Sequence, residues 1–162
     1  MQKERYRASA DFSLIAARFI AIVFLLLWLF VLFSPIVLAD AVVVVNKSAP
    51  VEKLSKDDVR SIFLGRLFVF PATDFEVNAL DQANSSDLRE WFYLQLANKS
   101  RRKMNTYWAR YLFTGKGQPP LALESDQSIV DKVSTSPHAI GYLDEKFVNE
   151  QVKVVYRLEE EK

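Results

Sequence analysis

The chain has 162 residues, half of them hydrophobic, and a formal net charge of +1 at neutral pH. So balanced a charge argues against nucleic acid as a partner, because a protein that follows a phosphate backbone needs an excess of positive charge. The sequence contains no cysteine, which excludes disulfides and thiolate metal sites. Apart from an N-terminal extension, a chain of this length is expected to form one domain with its own packed core.

The N-terminal extension has the pattern of an export signal. After a mostly basic leader, an unbroken apolar run, FIAIVFLLLWLFVLF, begins at Phe19, and Val37 and Ala39 supply small residues at the minus-three and minus-one positions of a cleavage site. These features predict that residues 1–39 are a signal peptide, cleaved after Ala39. An uncleaved membrane anchor is the alternative, because residues 19–39 reach the roughly 20 residues that cross a bilayer. In both cases the domain that follows is exported.

The domain is predicted to begin with a strand, a helix and a second strand. The run AVVVVN at 41–46 is apolar without alternation, which is typical of a strand covered on both faces in a parallel sheet. Ser55, with Asp58 three residues later, predicts a capping box at the start of a helix that Gly65 ends. With a second strand at 76–80, these elements form a β–α–β unit. Such a unit places the next turn at the carboxyl ends of the strands, where ligands of α/β sheets bind.

The turn after the second strand is the main candidate binding site. Asp87 and Glu90 have the spacing of a capping box, so a helix should begin near Ser86. The first N–H groups of a helix lack partners within it and favour a carboxylate, phosphate or sulfate. Asn84, Ser85 and Ser86 would add side-chain donors. The alternative is that Ser86 or Asp87 satisfies those N–H groups itself and that no ligand binds.

The remaining chain predicts two further helices and two strands. The basic cluster at 98–103 is interpreted as an exposed turn, and the apolar residues from Met104 to Leu112 recur at the spacing of a helix that faces the core. Another helix should open at Ser125 or Asp126. The acidic run from Glu159 to Glu161 begins the tail at 159–162, which is predicted to be frayed. The two strands are predicted at 139–143 and 152–156.

No catalytic motif is present. The one histidine, His138, lies between a proline and an apolar strand, with no serine in a nucleophile-elbow sequence, so we expect a structural role. The pair Gly115-Lys116 does not form a phosphate loop. Arg110 stands where such a loop needs glycine, and Gly117 where it needs serine or threonine. A single histidine without cysteine also excludes a two-His zinc site. We therefore expect no enzyme activity, cofactor or metal.

Five segments, taken in order, carry a family resemblance: VVVVNKSAPVEKLSKDDVRSIFLGR, DQANSSDLREWF, YWARYLFTGKGQPP, SPHAIGYLD and VKVVYRL. Together they resemble the short phosphate ABC transporter substrate-binding proteins, which belong to the periplasmic binding protein superfamily with the type II fold. The resemblance covers residues 40–158. It implies a mixed, mostly parallel α/β sheet flanked by helices, a periplasmic location, and binding without catalysis. The implied partners are phosphate or a related oxyanion and an ABC transporter permease.

The resemblance also points to individual residues. The turn at 84–86 matches the place where full-length phosphate binders present Ser-Gly-Thr at a helix start. Asp81 stands where those binders place an arginine against the phosphate. An aspartate there would repel a dianion or accept the proton of a monoprotonated one. Lys47 and Ser48, which follow the first strand, correspond to another ligand-facing loop.

Two functional hypotheses follow. The first is an exported solute-binding protein that takes phosphate or a similar oxyanion. The second keeps the fold but makes the chain a membrane-anchored periplasmic interaction or sensory module with a degenerate ligand site, which the aspartate at position 81 favours. In both, membrane contact is expected only through the N-terminal segment.

Overall fold

A computed structural model of the chain describes residues 41–158. The predicted signal peptide or anchor helix and the acidic tail lie outside these residues and stay predictions. No helix between residues 41 and 158 has the length and apolar character needed to cross a membrane. The helices are α1 (Lys56–Phe63), α2 (Asp87–Ala97), α3 (Arg101–Phe113) and α4 (Asp126–Thr135), and the strands are β1 (Ala41–Asn46), β2 (Asn78–Gln82), β3 (Leu121–Leu123), β4 (Ala139–Asp144) and β5 (Val152–Arg157).

The five strands form one sheet in the order β3–β2–β4–β1–β5. β2 pairs in parallel with β3 and with β4, whereas β1 pairs antiparallel with β4 and with β5. Four of the five strands therefore run in one direction, and β1 runs against them. The predicted fold class, a mixed and mostly parallel sheet flanked by helices, is confirmed.

The direction of β1 corrects one prediction. Val45 of β1 and Ala79 of β2 both lie opposite Ile140 of β4, the first in antiparallel and the second in parallel register. β1 and β2 are therefore antiparallel, and the predicted parallel β–α–β unit is wrong. A buried valine run shows that a strand is covered on both faces, but it carries no information about direction. As a consequence, the chain leaves β1 at the edge opposite to the one where β2 and β4 end.

Alternation along β1 divides the core into two layers. Val43 and Val45 pack on the side of α1, α2 and α3, and Val42 and Val44 pack on the side of α4. All six β1 residues are buried, so the prediction of a strand covered on both faces is confirmed. The helices contribute Val59, Ile62 and Phe63 from α1, Phe92, Tyr93 and Leu96 from α2, Met104 and Trp108 from α3, and Ile129, Val130 and Val133 from α4.

Local capping starts α1 as predicted. The Ser55 hydroxyl accepts a hydrogen bond from the Asp58 N–H at 3.1 Å, and the Asp58 carboxylate accepts one from the Ser55 N–H at 3.0 Å. The capping box is therefore confirmed. Beyond the end of the helix, Gly65 adopts a positive φ of 65°, the left-handed conformation that glycine tolerates best.

β2 lies further along the chain than predicted. The predicted strand ended at Leu80, but the observed one continues through Asp81 and Gln82. These two polar residues therefore belong to the sheet and not to the turn. β3 was not predicted, because three residues after a proline-containing turn carry too little pattern to indicate a strand.

α3 also departs from the prediction at both ends. It begins at Arg101, so half of the basic cluster interpreted as a turn is helical. Near its other end, Leu112 was predicted to face the core but is 51% exposed. Helical spacing correctly placed Met104 and Trp108 inside, because they lie in the middle of the stripe that α1 and α2 cover.

Gly141 of β4 marks a close approach of α4 to the sheet. A Cβ atom at this position would lie 2.5 Å from Cγ2 of Ile129. We expect Gly141→Ala to destabilise the domain by about 1–3 kcal/mol, because an added methyl group in a packed core forces a side-chain or backbone shift. Urea unfolding measures the loss. The effect of the added methyl should shrink in an Ile129→Ala background, and an unchanged stability of the single variant would contradict this packing.

Candidate functional site

The candidate loop, residues 83–86, joins the carboxyl end of β2 to the start of α2. The Ala83 N–H donates to the Leu123 carbonyl of β3 at 2.9 Å, and the Ser86 N–H donates back to the Ala83 carbonyl at 2.9 Å. The loop is therefore tied to the sheet edge at its first residue and closed as a tight turn. Asn84 and Ser85, at its tip, are exposed.

The start of α2 is only partly capped. The Ser86 hydroxyl accepts from the Arg89 N–H at 3.3 Å, and the Glu90 N–H reaches the Ser86 carbonyl at 3.3 Å. Within residues 41–158, the N–H groups of Asp87 and Leu88 have no hydrogen-bond partner. The predicted start of the helix near Ser86 is confirmed, because Ser86 is the N-cap and α2 begins at Asp87. The predicted capping box between Asp87 and Glu90 is wrong, because Asp87 is the first helical residue and not the cap. Beside the loop, two N–H groups at the positive end of the helix dipole are therefore without a partner among the described residues.

Asp81 does not face this opening. It is 3% exposed and turns into the core, where Arg89 Nε donates to its Oδ2 atom at 2.9 Å. The hydroxyl of Tyr93 donates to the same oxygen at 3.1 Å, and the hydroxyl of Tyr142 and the N–H of Gln82 donate to Oδ1. The prediction that Asp81 contacts a ligand is therefore corrected, because four internal donors surround its carboxylate.

The same carboxylate changes the titration of the two tyrosines. Burial raises the pKa of Tyr142 and of Tyr93 above the ordinary value, because the charged phenolate loses its hydration. The negative charge of Asp81 raises both pKa values further, since it repels a second negative charge. Both phenols therefore stay protonated and donate to the aspartate at neutral pH.

Arg89 connects this buried cluster to the loop. Its side chain is only 7% exposed. Nε donates a hydrogen bond to Asp81, and Nη1 donates one to Asn84 Oδ1 at 3.1 Å. Sequence reasoning missed this residue, although a signal was present. Arg89 lies three, four and seven positions before Phe92, Tyr93 and Leu96, so it falls on the buried stripe of α2. An arginine on a buried stripe indicates a buried acidic partner.

A second polar cluster lies where β2 and β4 end, at the start of α4. The Gln82 side-chain amide donates to Asp126 Oδ1 at 2.9 Å, and the Asp144 N–H donates to the same oxygen at 3.2 Å. Ser125 accepts from the Ser128 N–H and caps α4. The start of α4 is thus joined to the ends of β2 and β4 by its own side chains.

Lys47 and Ser48 are not brought to the loop. They follow β1, which ends level with the start of β4, so at least four residues of strand, about 13 Å, separate them from the end of β2. The Ser48 N–H and hydroxyl both donate to Asn46 Oδ1, and Lys47 Nζ donates to the Glu150 carbonyl at 3.1 Å. Their predicted place in one site with Ser85 and Ser86 is therefore corrected. The cause is the antiparallel direction of β1.

The charges around the loop are compensated. Arg101 of α3 donates to the carbonyls of Ser85 and Ser86 and forms ion pairs with Asp87 and Glu90. The positive charge of Arg89 is paired with Asp81. An anion at this loop would therefore be held by N–H and hydroxyl donors. Among residues 41–158, no group of three or more acidic or histidine side chains has a metal-binding arrangement.

Comparison with solved structures shows a likeness of fold. No protein-family model and no curated protein matches the chain. Solved structures do match. One is an ABC-type phosphate transport receptor from Vibrio cholerae, with a TM-score of 0.58 and 18% identity. Another is a phosphate ABC transporter substrate-binding protein with bound phosphate from Clostridium perfringens, with a TM-score of 0.59 and 17% identity. PstS from Borrelia burgdorferi also matches, with a TM-score of 0.56 and 14% identity.

The described domain shares the fold of these phosphate transport proteins. Each match covers 72% of this chain but only 44–46% of the neighbour, so the chain spans less than half the length of the proteins it matches. At these identities the likeness extends to the fold and not to the individual ligand contacts. The neighbours are transport binding proteins and not enzymes.

The buried ion pair predicts a large effect of a small substitution. We expect Asp81→Asn to lower the free energy of unfolding by about 3–5 kcal/mol, because it leaves the Arg89 guanidinium buried without a counter-charge. Asp87→Asn is the matched control, since that side chain is fully exposed and contacts Arg101 in water. Chemical denaturation compares the two variants, and equal stabilities would show that the Asp81 pair is not a structural requirement.

The raised tyrosine pKa values predict a loss of stability at alkaline pH. The unfolded phenols ionise near pH 10, whereas the folded ones hold their protons to higher pH, so this stabilisation is complete below pH 10 and declines above it. In Tyr142→Phe the slope of unfolding free energy against pH above 10 should be shallower by about 1.4 kcal/mol per pH unit. An unchanged slope in urea titrations would exclude a buried, protonated Tyr142.

Proposed function

We propose that the chain is an exported solute-binding protein that takes phosphate or a related oxyanion at the loop of Asn84, Ser85 and Ser86. The observation that carries the proposal is the pair of open N–H groups, on Asp87 and Leu88, at a helix start beside exposed hydroxyl and amide groups. Such a helix start binds anions through its N–H groups and dipole. The fold shared with phosphate transport proteins supports the same interpretation.

The buried cluster gives the loop its rigidity. Arg89 fixes the Asn84 side-chain oxygen, so the amide NH₂ of Asn84 is directed away from the guanidinium. Arg101 holds the carbonyls of Ser85 and Ser86 at the other end of the loop. Both ends of the loop are therefore fixed before any ligand arrives, which lowers the entropy lost on binding.

The compensated charges define the class of solute. The arginines that contact the loop are each paired with a carboxylate, so the site recognises an oxyanion by hydrogen bonds instead of by excess positive charge. A small oxyanion with several acceptor oxygens satisfies the two N–H groups and the Ser85 hydroxyl together. Ion-paired surroundings also make binding less sensitive to salt than a lysine-rich site would be.

Location and partner follow from the same proposal. The N-terminal pattern at residues 1–39 would export the domain to the periplasm, as a cleaved signal peptide or as an anchor. There the loaded protein would deliver the anion to an ABC transporter permease. Because the chain spans less than half the length of its structural neighbours, we propose that this domain contributes one side of the anion's surroundings.

One observation favours the second hypothesis, an interaction or sensory module without a ligand. Asp81 occupies the Arg89 guanidinium, so among the described residues no uncompensated cation contacts the loop. A module that has lost its ligand would keep the fold and the ion pair but would bind no oxyanion. The two hypotheses therefore differ in a single measurable property.

Isothermal titration of the chain with phosphate, sulfate and molybdate distinguishes them. We expect binding of at least one of the three anions. Ser85→Asp should weaken that binding about tenfold or more, because it places a like charge at the loop. Lys47→Gln makes the same change in net charge at the opposite edge of the sheet and should leave the affinity within about twofold. Absence of heat with all three anions would leave only the module hypothesis.

A further inference from the structure

The middle of the chain has an uneven charge that the near-neutral total conceals. From Trp91 to Leu123 the sequence contains no acidic residue. The same stretch contains six basic residues, which are Lys99, Arg101, Arg102, Lys103, Arg110 and Lys116. It includes all of α3. The exposed face of that helix is therefore a candidate for a strongly positive surface.

The structure gathers four of these charges on one side of α3. Arg102, Lys103 and Arg110 border a shallow depression of about 310 Å³ together with Lys99. Lys99 also borders a second depression, of about 600 Å³, that Arg66 at the end of α1 helps to line. The two depressions share Lys99, so the basic groups form one continuous surface, which we call the α3 basic face.

The charges on this face are not compensated internally. Within residues 41–158, no carboxylate forms an ion pair with Arg66, Lys99, Arg102, Lys103 or Arg110. The ammonium of Lys99 lies 5.6 Å from the ring centre of Tyr107, which leaves its charge in place. Arg101 is the exception on α3, because it turns towards the loop before α2.

A large apolar side chain ends the same helix. Phe113 is 94% exposed. Phe113 lies eleven residues after Arg102, which is close to three turns, so both project from the same side of α3. A fully exposed phenylalanine beside uncompensated cations matches the pattern of helices that rest on anionic membranes.

We propose that the α3 basic face docks on an anionic phospholipid surface, with Phe113 entering the boundary between headgroups and acyl chains. The cations would contact lipid phosphates, an attraction worth roughly fivefold in binding for each lysine or arginine close to the surface. A membrane accounts for both features of the face, because the exposed phenylalanine gains by leaving water. A duplex nucleic acid offers no apolar layer to receive it.

The absence of cysteine in the chain allows a site-specific test. Ala109→Cys places an environment-sensitive dye on the exposed side of α3 between Thr106 and Phe113, and Gln127→Cys places the same dye on α4, across the sheet. The whole chain is reconstituted with vesicles of phosphatidylcholine alone or mixed with phosphatidylglycerol. We expect the dye at 109 to shift to shorter wavelength only with phosphatidylglycerol, and the dye at 127 to show no shift.

Neutralising the face provides the matched comparison. The variant R102Q/K103Q/R110Q should lower the ratio of docked to undocked protein about a hundredfold, and high salt should act in the same direction. Phe113→Ser keeps every charge and should also reduce docking. Because these side chains are exposed, circular dichroism should show that each variant is folded.

Several outcomes would overturn the proposal. Equal shifts at 109 on both kinds of vesicle, or a shift that survives the triple substitution, would exclude charge-driven docking. A shift that appears with a soluble polyanion such as heparin but not with phosphatidylglycerol would assign the face to a soluble acidic partner instead of a membrane.

Discussion

The ion pair between Asp81 and Arg89 is the interaction on which the rest of the described structure depends. It is almost fully buried, and it joins the last part of β2 to the first turn of α2. Two tyrosine hydroxyls, from Tyr93 and Tyr142, complete the carboxylate shell, so the pair also links α2 to β4. A buried charge is tolerated only when its partners satisfy it, which fixes the angle between strand and helix. The position of Asn84 in the loop follows from that angle.

This arrangement separates two kinds of electrostatics in one small domain. Among the described residues, each cation that contacts the loop has a carboxylate partner, so the recognition proposed there rests on open N–H groups and hydroxyls whose positions the core fixes. The cations of the α3 basic face have no such partners within residues 41–158, so the recognition proposed there rests on charge and on an exposed Phe113. The first surface suits a small solute with several acceptor oxygens, and the second suits an extended anionic surface. The two proposals can therefore fail independently.

Sequence reasoning succeeded where the determining interactions are local or periodic. The capping box of Ser55 and Asp58 lies within one helical turn, and the buried valines of β1 show coverage directly. It failed where the determinant lies elsewhere in the chain. The direction of β1 is set by pairing with β4, nearly 100 residues later. The role of Asp81 depended on the end of β2 and on a partner in the next helix, so a two-residue error in the strand moved it from core to turn.

The central claim is that the Asp81–Arg89 pair holds the loop so that the N–H groups of Asp87 and Leu88 stay open to an oxyanion. Amide NMR of the ¹⁵N-labelled chain during a phosphate titration tests this claim most directly. The account predicts that the Asp87, Leu88 and Ser85 amide signals shift together and saturate with one affinity, while the amide of Lys47 stays unchanged. Shifts confined to other parts of the domain, or none at saturating phosphate, would contradict it.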